Sequence, residues 1–154
     1  MKAVLLTFFI ISLAIYGCAG SHTSSNAQIR EGISGYISIE KGNRMPSPDM
    51  PVDPPKGLKT QVFIHEITSI SQLKSTETSG LYALIPTPLV ASTFTDSTGY
   101  FSISLKPGSY SVFVKYQEGF YANWFNEKNQ VAPVVVVADS VTKVNIKVTI
   151  GATY

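Results

Sequence analysis

The residues of this chain best suited to binding chemistry lie in one aromatic segment. Residues 116–127 carry four rings and an amide that could act together: Phe120, Tyr121, Trp124, Phe125 and Asn126. Aromatic faces stack on sugars or anchor a protein partner, and a neighbouring amide can hydrogen-bond what is bound. The rings could equally fold back and close one end of a domain, because the segment shows no alternation that would decide their direction. In that case Trp124, the only Trp of the chain, is at least partly buried.

The ionisable side chains form no catalytic pattern. His65 lies in an apolar, strand-like segment, where a lone His is more often packed or hydrogen-bonded than a ligand, and the carboxylates are scattered. Asp96 and Asp139 occur in turn sequences, in which a carboxylate commonly caps the backbone. The sequence has neither a Gly-x-Ser-x-Gly nucleophile elbow nor a glycine loop that cradles phosphate. We therefore expect no catalytic residue, no metal site and no cofactor.

Composition narrows the class further. The formal net charge is only +2, whereas nucleic-acid-binding domains typically carry a clear excess of Lys and Arg. A single Cys excludes an intrachain disulfide and a cysteine-based metal cage. The many Val, Ile, Thr and aromatic residues favour strands. We expect a β-rich domain with no nucleic-acid partner.

The beginning of the chain indicates export. Lys2 precedes an apolar stretch at 3–16, which has the length of a signal-peptide core and is short for a membrane-spanning helix. The stretch ends in Gly17 and Cys18, and this small residue followed by the only Cys resembles a bacterial lipobox. The resemblance implies that residues 1–17 are a lipoprotein signal peptide and that Cys18 carries diacylglycerol and palmitate. An ordinary secretory signal or an uncleaved anchor is the alternative.

A tether follows the predicted lipid site. Residues 18–30 are small, polar and without periodicity, which is typical of a flexible linker before a domain at 31–154. Acyl chains buried in a bilayer contribute about 0.8 kcal/mol per methylene to membrane binding. Lipid at Cys18 would therefore attach the protein to a membrane. Ala19 does not resemble an inner-membrane retention signal. We therefore expect the protein on the outer membrane of a Gram-negative bacterium.

Seven alternating segments of the domain must position any site. Period-two alternation is typical of strands with one buried face. The clearest segments are 100–105 and 110–116, and Lys106-Pro107-Gly108-Ser109 between them predicts a hairpin loop. The remaining predicted strands are 31–40, 59–67, 89–95, 133–138 and 141–150. Strands of this number and spacing predict an all-β fold, a seven-stranded Greek-key β-sandwich.

Two segments interrupt the alternation. Residues 41–58 hold five prolines and predict a long loop, because proline cannot donate to a strand ladder. Residues 68–88 are first polar and then apolar, and predict an excursion with a helical turn or a short hairpin. The strand at 59–67 alternates poorly, and both of its faces are expected to be covered.

Several short motifs resemble the carboxypeptidase regulatory-like domain family. They are the first strand with Gly32, Ile33, Gly35 and Ile37, the turn with Thr95, Asp96, Gly99, Tyr100 and Phe101, and the turn with Leu105, Pro107, Gly108, Tyr110 and Val112. The C-terminal part, from Tyr121, Ala122 and Asn123 through Pro133 and Val134 to Val141, Val144 and Ile146, resembles small lipoproteins of Bacteroidota. The resemblance implies a transthyretin-like, or prealbumin-like, fold without catalysis. Hydroxyisourate hydrolases and intradiol dioxygenases resemble this fold but need more than one His, whereas the domain has only His65.

Two functional classes remain open. The first is a non-enzymatic, lipid-anchored module of the cell envelope that is structural or binds a protein. The second is a glycan-binding module that uses the aromatic segment 116–127. The sequence offers no signal that separates them.

Overall fold

The computed structural model describes residues 29–45 and 54–153. The predicted signal peptide, Cys18 and most of the tether lie outside these residues. The described part is all-β, with one turn of 3-10 helix at Ile70–Gln72, and it contains no helix long and apolar enough to cross a membrane. The strands are β1 (Gly32–Ile39), β2 (Gly42–Asn43), β3 (Lys56–Gly57), β4 (Gln61–Glu66), β5 (Lys74–Ser75), β6 (Leu81–Leu84), β7 (Leu89–Phe94), β8 (Tyr100–Ser104), β9 (Gly108–Tyr116), β10 (Gly119–Tyr121), β11 (Pro133–Val136), β12 (Val141–Lys143), β13 (Ile146–Val148) and β14 (Ala152–Thr153).

The first sheet is built around β1. Strands β12 and β13 pair with it in parallel, and β8 and β3 pair with it antiparallel. Because β12 and β8 both pair with residues 32–34, they lie on opposite sides of β1. This first sheet therefore has five strands, with β1 at its centre.

The second sheet has seven strands and is antiparallel. Its order is β5-β6-β10-β9-β4-β7, and β11 pairs with the first half of β9. A bulge displaces the β4–β7 register between Ile64 and His65. Strand β7 lies at one edge of this sheet and the short β5 lies at the other. A separate pair, β2 with β14, joins the end of the described chain to the residues after β1.

One apolar core lies between the two main sheets, which gives a sandwich-like fold. The first sheet contributes Ile33, Ile37, Phe101, Ile146 and Val148, and the second contributes Val62, Ile64, Val112, Val114 and Tyr121. A smaller cluster forms on the outer face of the second sheet around Phe113, Tyr82 and Val131. Strand β4 therefore has both faces covered, as its poor alternation predicted.

Each of the seven predicted strands is present, with one strand divided into two. The segment 141–150 forms β12 and β13, separated at Val144 and Asn145. There the Asn145 side chain accepts a hydrogen bond from the Tyr36 main-chain N–H at 3.0 Å, in place of a main-chain partner. Val144, Ile146 and Val148 are buried, so the alternate positions of this segment face the core.

The predicted hairpin at 106–109 is wrong. Strand β8 pairs with β1 in the first sheet, whereas β9 pairs with β4, β10 and β11 in the second. The turn passes the chain from one sheet to the other, and the Tyr110 hydroxyl donates to the Lys106 carbonyl oxygen at 2.9 Å. Alternation cannot distinguish the two cases, because the apolar faces of both strands meet the same core.

The two interrupting segments contain short strands. The described ends of residues 41–58 form β2 and β3, which are too short for the sequence to indicate. The excursion at 68–88 holds the 3-10 turn, β5 and β6. Ser69 begins the turn, and its main-chain N–H donates to Gln72 Oε1 at 2.8 Å. The predicted helical turn and hairpin are therefore both present.

Candidate functional site

The structure separates the five residues of the aromatic segment that the sequence grouped together. A turn of two residues separates β9 from β10, and the two strands pair antiparallel. Successive side chains of a strand point to opposite faces of the sheet. Phe120 therefore faces outward and Tyr121 faces inward. The rest of the segment follows the end of the second sheet, with an isolated bridge from Phe125 to Val131. The rings do not form one shared platform.

Tyr121 belongs to the core. Its side chain is 1% exposed, and its hydroxyl lies 3.1 Å from both the Lys147 carbonyl oxygen and Thr149 Oγ1. The hydroxyl also accepts from the Thr149 main-chain N–H at 3.3 Å. A ring held in this way stabilises the junction of the two sheets.

Phe120 lies on the outer face of the second sheet. Its ring packs edge-on against Phe63 at 5.2 Å, and Lys115 Nζ lies 5.0 Å from the ring centroid. The geometry is that of an aromatic pair with a cation–π contact, which is typical of a partly exposed sheet face. Phe120 is half-buried, so its remaining exposed edge is small.

Trp124 and Phe125 are neighbours in sequence but line different surfaces. Trp124 is half-buried against both apolar clusters, which agrees with the expected partial burial. It borders a shallow cavity of about 440 Å³ beside Pro133 and Asn145. Phe125 is 59% exposed and borders a larger groove of about 670 Å³.

Asn126 organises the turn that presents Phe125. Its Oδ1 accepts main-chain hydrogen bonds from Lys128 at 3.0 Å and from Gln130 at 3.1 Å, and its Nδ2 donates to Gln130 Oε1 at 2.8 Å. Asn129 closes the turn with a positive φ of 57°, a conformation that Asn tolerates. The amide that the sequence suggested for a ligand is therefore engaged within the protein.

The larger cavity, called here the end groove, lies between three segments. Residues 75–80 form one wall, residues 121–125 form another, and residues 149–152 form the third. Of the residues that line it, the sequence had indicated Tyr121 and Phe125 as binding candidates, but not Thr78 or Ser79. The polar run in which they lie signals only an excursion, and nothing local indicates which surface it meets.

A second exposed feature is the edge strand β7. Among the described residues, no strand pairs with its outer side. The main-chain N–H of Thr95 donates to the Thr60 carbonyl oxygen at 2.9 Å, so antiparallel alternation directs the main-chain groups of Ser92 and Phe94 away from β4. Phe94 is 70% exposed, which makes it the most exposed of the described large apolar residues.

His65, one of the ionisable residues named from the sequence, has a structural role. His65 is buried, and its Nδ1–H donates to the Thr87 carbonyl oxygen at 2.8 Å, as expected for a packed strand His. Burial lowers the pKa of His65, and the bond to Thr87 opposes this only in part. Burial likewise raises the pKa of Tyr82.

Asp96 caps its own turn, as the sequence predicted. Its Oδ1 accepts from Thr98 Oγ1 at 2.7 Å, from the Thr98 main-chain N–H at 2.8 Å and from that of Tyr100 at 2.9 Å. These bonds, with the Thr98 hydroxyl foremost, lower the pKa of the Asp96 carboxyl. The carboxylate is therefore committed to the turn.

The most enclosed carboxylate of the described residues pairs with cations. Glu40 is 6% exposed, and its Oε1 lies 2.9 Å from Arg44 Nη2 and 3.0 Å from Lys147 Nζ. Across the described ranges, no group of three or more His, Cys, Asp or Glu side chains is placed to hold a metal ion.

Comparison with known proteins gives no relative. No protein-family model matches the chain, and no curated protein or solved structure matches it significantly. The described residues form an all-β, sandwich-like domain with two exposed features, the end groove and the edge of β7.

Proposed function

We propose that this chain is a non-enzymatic, lipid-anchored protein of the bacterial cell envelope that binds a partner protein. The anchor rests on the lipobox-like sequence that ends at Cys18. The prealbumin-like Greek-key arrangement rests on the resemblance to carboxypeptidase regulatory-like domains, with which two sheets around one core are compatible. The binding role rests on one observation, the open edge of β7.

Open sheet edges are usually protected by charges, by proline or by bulges, because they pair readily with other strands. All six residues of β7 are uncharged, and its bulge lies at the beginning of the strand. From Ala91 to Phe94 the edge is regular, and the main-chain groups of Ser92 and Phe94 point outward. An edge of this kind is suited to strand addition.

The occupant that fits is an extended segment of a partner protein with apolar side chains. Main-chain hydrogen bonds to Ser92 and Phe94 would supply affinity, and apolar side chains would cover the exposed ring of Phe94 together with Leu89 and Val90. Since β7 has no charge, it would neither attract nor orient a charged peptide. This favours an uncharged strand as the partner segment.

The non-enzymatic part is supported by the roles of the ionisable groups. His65 is packed and hydrogen-bonded, Asp96 caps a turn, and Glu40 pairs with Arg44 and Lys147. A general acid or base must reach a substrate proton, whereas His65 and Glu40 are buried and the Asp96 carboxylate is bonded within its own turn.

The binding role is tested by photo-crosslinking in intact cells that produce the full chain. A benzophenone amino acid at position 94 should crosslink to an extended segment of another envelope protein, identified by mass spectrometry of the joined peptides. The same amino acid at position 36 is the matched control, because Tyr36 is 52% exposed on the other sheet. Position 36 should give no such product.

A second variant separates strand addition from simple proximity. Ser92→Pro removes an outward N–H that β4 does not use, and proline is tolerated on edge strands. It should abolish the product from position 94 while leaving the melting temperature close to that of the parent. Crosslinks to another copy of this chain, equal products at positions 94 and 36, or a product unaffected by Ser92→Pro would each contradict partner binding at β7.

The anchor is tested separately by intact mass of the protein extracted from membranes. The expected mature chain begins at Cys18 and carries the mass of diacylglycerol and fatty acid. An unmodified chain in the soluble fraction would contradict the lipid anchor without bearing on the edge strand.

The alternative, a glycan-binding module in the aromatic segment, is supported at one ring. Phe125 is the exposed member of the segment, whereas Tyr121 is in the core and Asn126 is engaged in a turn. A glycan site would therefore be built from Phe125 together with residues that the sequence did not single out as binding candidates.

A further inference from the structure

We propose that the end groove binds a neutral oligosaccharide. Its volume of about 670 Å³ falls within the roughly 300–1,000 Å³ that is usual for small-molecule sites. The proposal goes beyond protein binding at β7 and is independent of it, since no residue that lines the groove belongs to that strand.

The groove presents polar groups that the protein does not use. The side chains of Ser75, Thr78, Ser79 and Asn123 line it, and none of them makes a hydrogen bond to another described residue. By contrast, Thr76 Oγ1 is engaged with the Leu81 carbonyl oxygen at 3.0 Å. The free hydroxyls and the amide can both donate and accept, which matches the hydroxyl groups of a sugar.

Phe125 supplies the aromatic surface that such a ligand needs. Its ring is exposed, yet the bridge to Val131 and the hydrogen-bonded turn around Asn126 hold its backbone in place. A preorganised ring loses little conformational freedom on binding, so more of the contact energy remains as affinity. Sugar C–H groups carry the partial positive charge that the negative face of an aromatic ring attracts.

The charge of the lining decides the class of sugar. The groove is lined by no Lys, Arg, His, Asp or Glu among the described residues. An acidic sugar would lose hydration there without gaining a cation, which is unfavourable for a charged group. A neutral oligosaccharide pays no such cost.

The groove also has a rigid base. Tyr121 of the core and Tyr82 of the outer cluster both line it, and both residues are buried. Gly80, with φ of 76°, turns the chain beside the ring of Tyr121, and a Cβ there would lie 3.4 Å from that ring. The wall at 75–80 is therefore positioned by the core, as a preformed site requires.

The test is saturation-transfer-difference NMR on the full chain in a sugar-free detergent. The probes are gluco-, manno-, galacto- and N-acetylglucosamine di- to tetrasaccharides, with the corresponding uronic-acid oligomers as acidic counterparts. At least one neutral oligosaccharide should bind, and the uronic-acid oligomers should not. Phe125→Ala and Asn123→Ala should each weaken binding about tenfold or more, as expected for loss of an anchor residue.

Tyr36→Ala is the matched control, because Tyr36 is an aromatic residue about as exposed as Phe125 but lies on the first sheet, away from the groove. It should bind the neutral oligosaccharide like the parent. Both substituted rings are exposed, so unfolding is not expected to confuse the comparison, and the melting temperature of each variant checks this. Absence of binding by every neutral probe, preference for the uronic acids, or binding lost in Trp124→Ala but retained in Phe125→Ala would each overturn the proposal. None of these outcomes affects the crosslinking result at position 94.

Discussion

The hydroxyl of Tyr121 lies 3.1 Å from the main-chain carbonyl oxygen of Lys147, so a side chain from the second sheet is bonded to the last strand of the first. The same hydroxyl lies 3.1 Å from Thr149 Oγ1. The ring therefore joins the two sheets both by packing and by polar contacts. It also fixes the C-terminal wall of the end groove, because Thr149 itself lines that cavity.

Tyr121→Phe should lower the free energy of unfolding by about 1 kcal/mol, since it removes the hydroxyl that is hydrogen-bonded to Lys147 and Thr149. Urea unfolding followed by circular dichroism measures the change. Tyr36→Phe is the matched control, because the Tyr36 side chain is half exposed and should change stability by less than about 0.5 kcal/mol. Equal stabilities for the two variants would contradict a bonding role for the Tyr121 hydroxyl.

Gly35→Ala should destabilise the first sheet by about 3 kcal/mol. A Cβ on Gly35 would overlap the carbonyl oxygen of Val144, which is main chain and cannot move aside as a side chain could. Gly108→Ala is the control, because the nearest atom to its Cβ would be the Tyr110 hydroxyl oxygen, 3.2 Å away, which belongs to a side chain and not to the main chain. Chemical unfolding of both variants checks the contrast, and a Gly35→Ala protein as stable as Gly108→Ala would count against the close approach.

Lowering the pH should destabilise the fold through His65. Burial lowers the pKa of His65 in the folded state, whereas the unfolded chain has the ordinary value near 6.5. The unfolded state then binds the proton first, so the His65 contribution is complete above about pH 6.5 and is lost as the pH falls toward the lower, folded pKa. Melting temperatures across about pH 5 to 7.5 should rise with pH in the parent and rise less in His65→Gln. Parallel profiles would contradict this account.

The Asp96 carboxyl should titrate below its usual range in the folded protein. The largest cause is the hydrogen bond from the Thr98 hydroxyl, so Thr98→Val should move the pKa of Asp96 upward. Because the folded pKa is lowered, the stability that Asp96 contributes is present above the unfolded pKa near 3.9 and is lost as the pH falls through the folded value. Carboxyl carbon NMR of the two proteins measures both values. An unchanged Asp96 titration in Thr98→Val would show that another contact dominates.

Trp124 should give the fluorescence of a partly shielded indole. It packs against both apolar clusters and is half-buried, so its emission should lie to the blue of free indole and acrylamide should quench it more slowly. Since it is the only Trp of the chain, the signal needs no correction for others. Unfolding in urea should raise the quenching constant to that of an exposed indole. Quenching in the folded protein at the rate of free indole would show that the ring does not pack in this way.

The alternation of the sequence determined the seven longer strand segments. Phe101 and Leu105 face the core from the segment 100–105, and Val112 and Val114 from the segment 110–116, at the alternate positions that a period of two requires. The turn roles of Asp96 and the packed state of His65 were also predictable, because each depends on neighbours within a few residues or on the apolar run around it.

Only the tertiary structure decided the features that depend on pairing between distant segments. Residues 106–109 have the composition of a hairpin, yet β8 and β9 lie in different sheets because β1 and β4 pair with them instead. Tyr121 and Phe125 are similar in sequence context, but one is in the core and the other borders the end groove. The groove brings together residues separated by some seventy positions, such as Ser79 and Ile150. A local pattern indicates which face of a strand a side chain occupies. It carries no information on the distant segment that this side chain contacts, and both the end groove and the open edge of β7 depend on such long-range contacts.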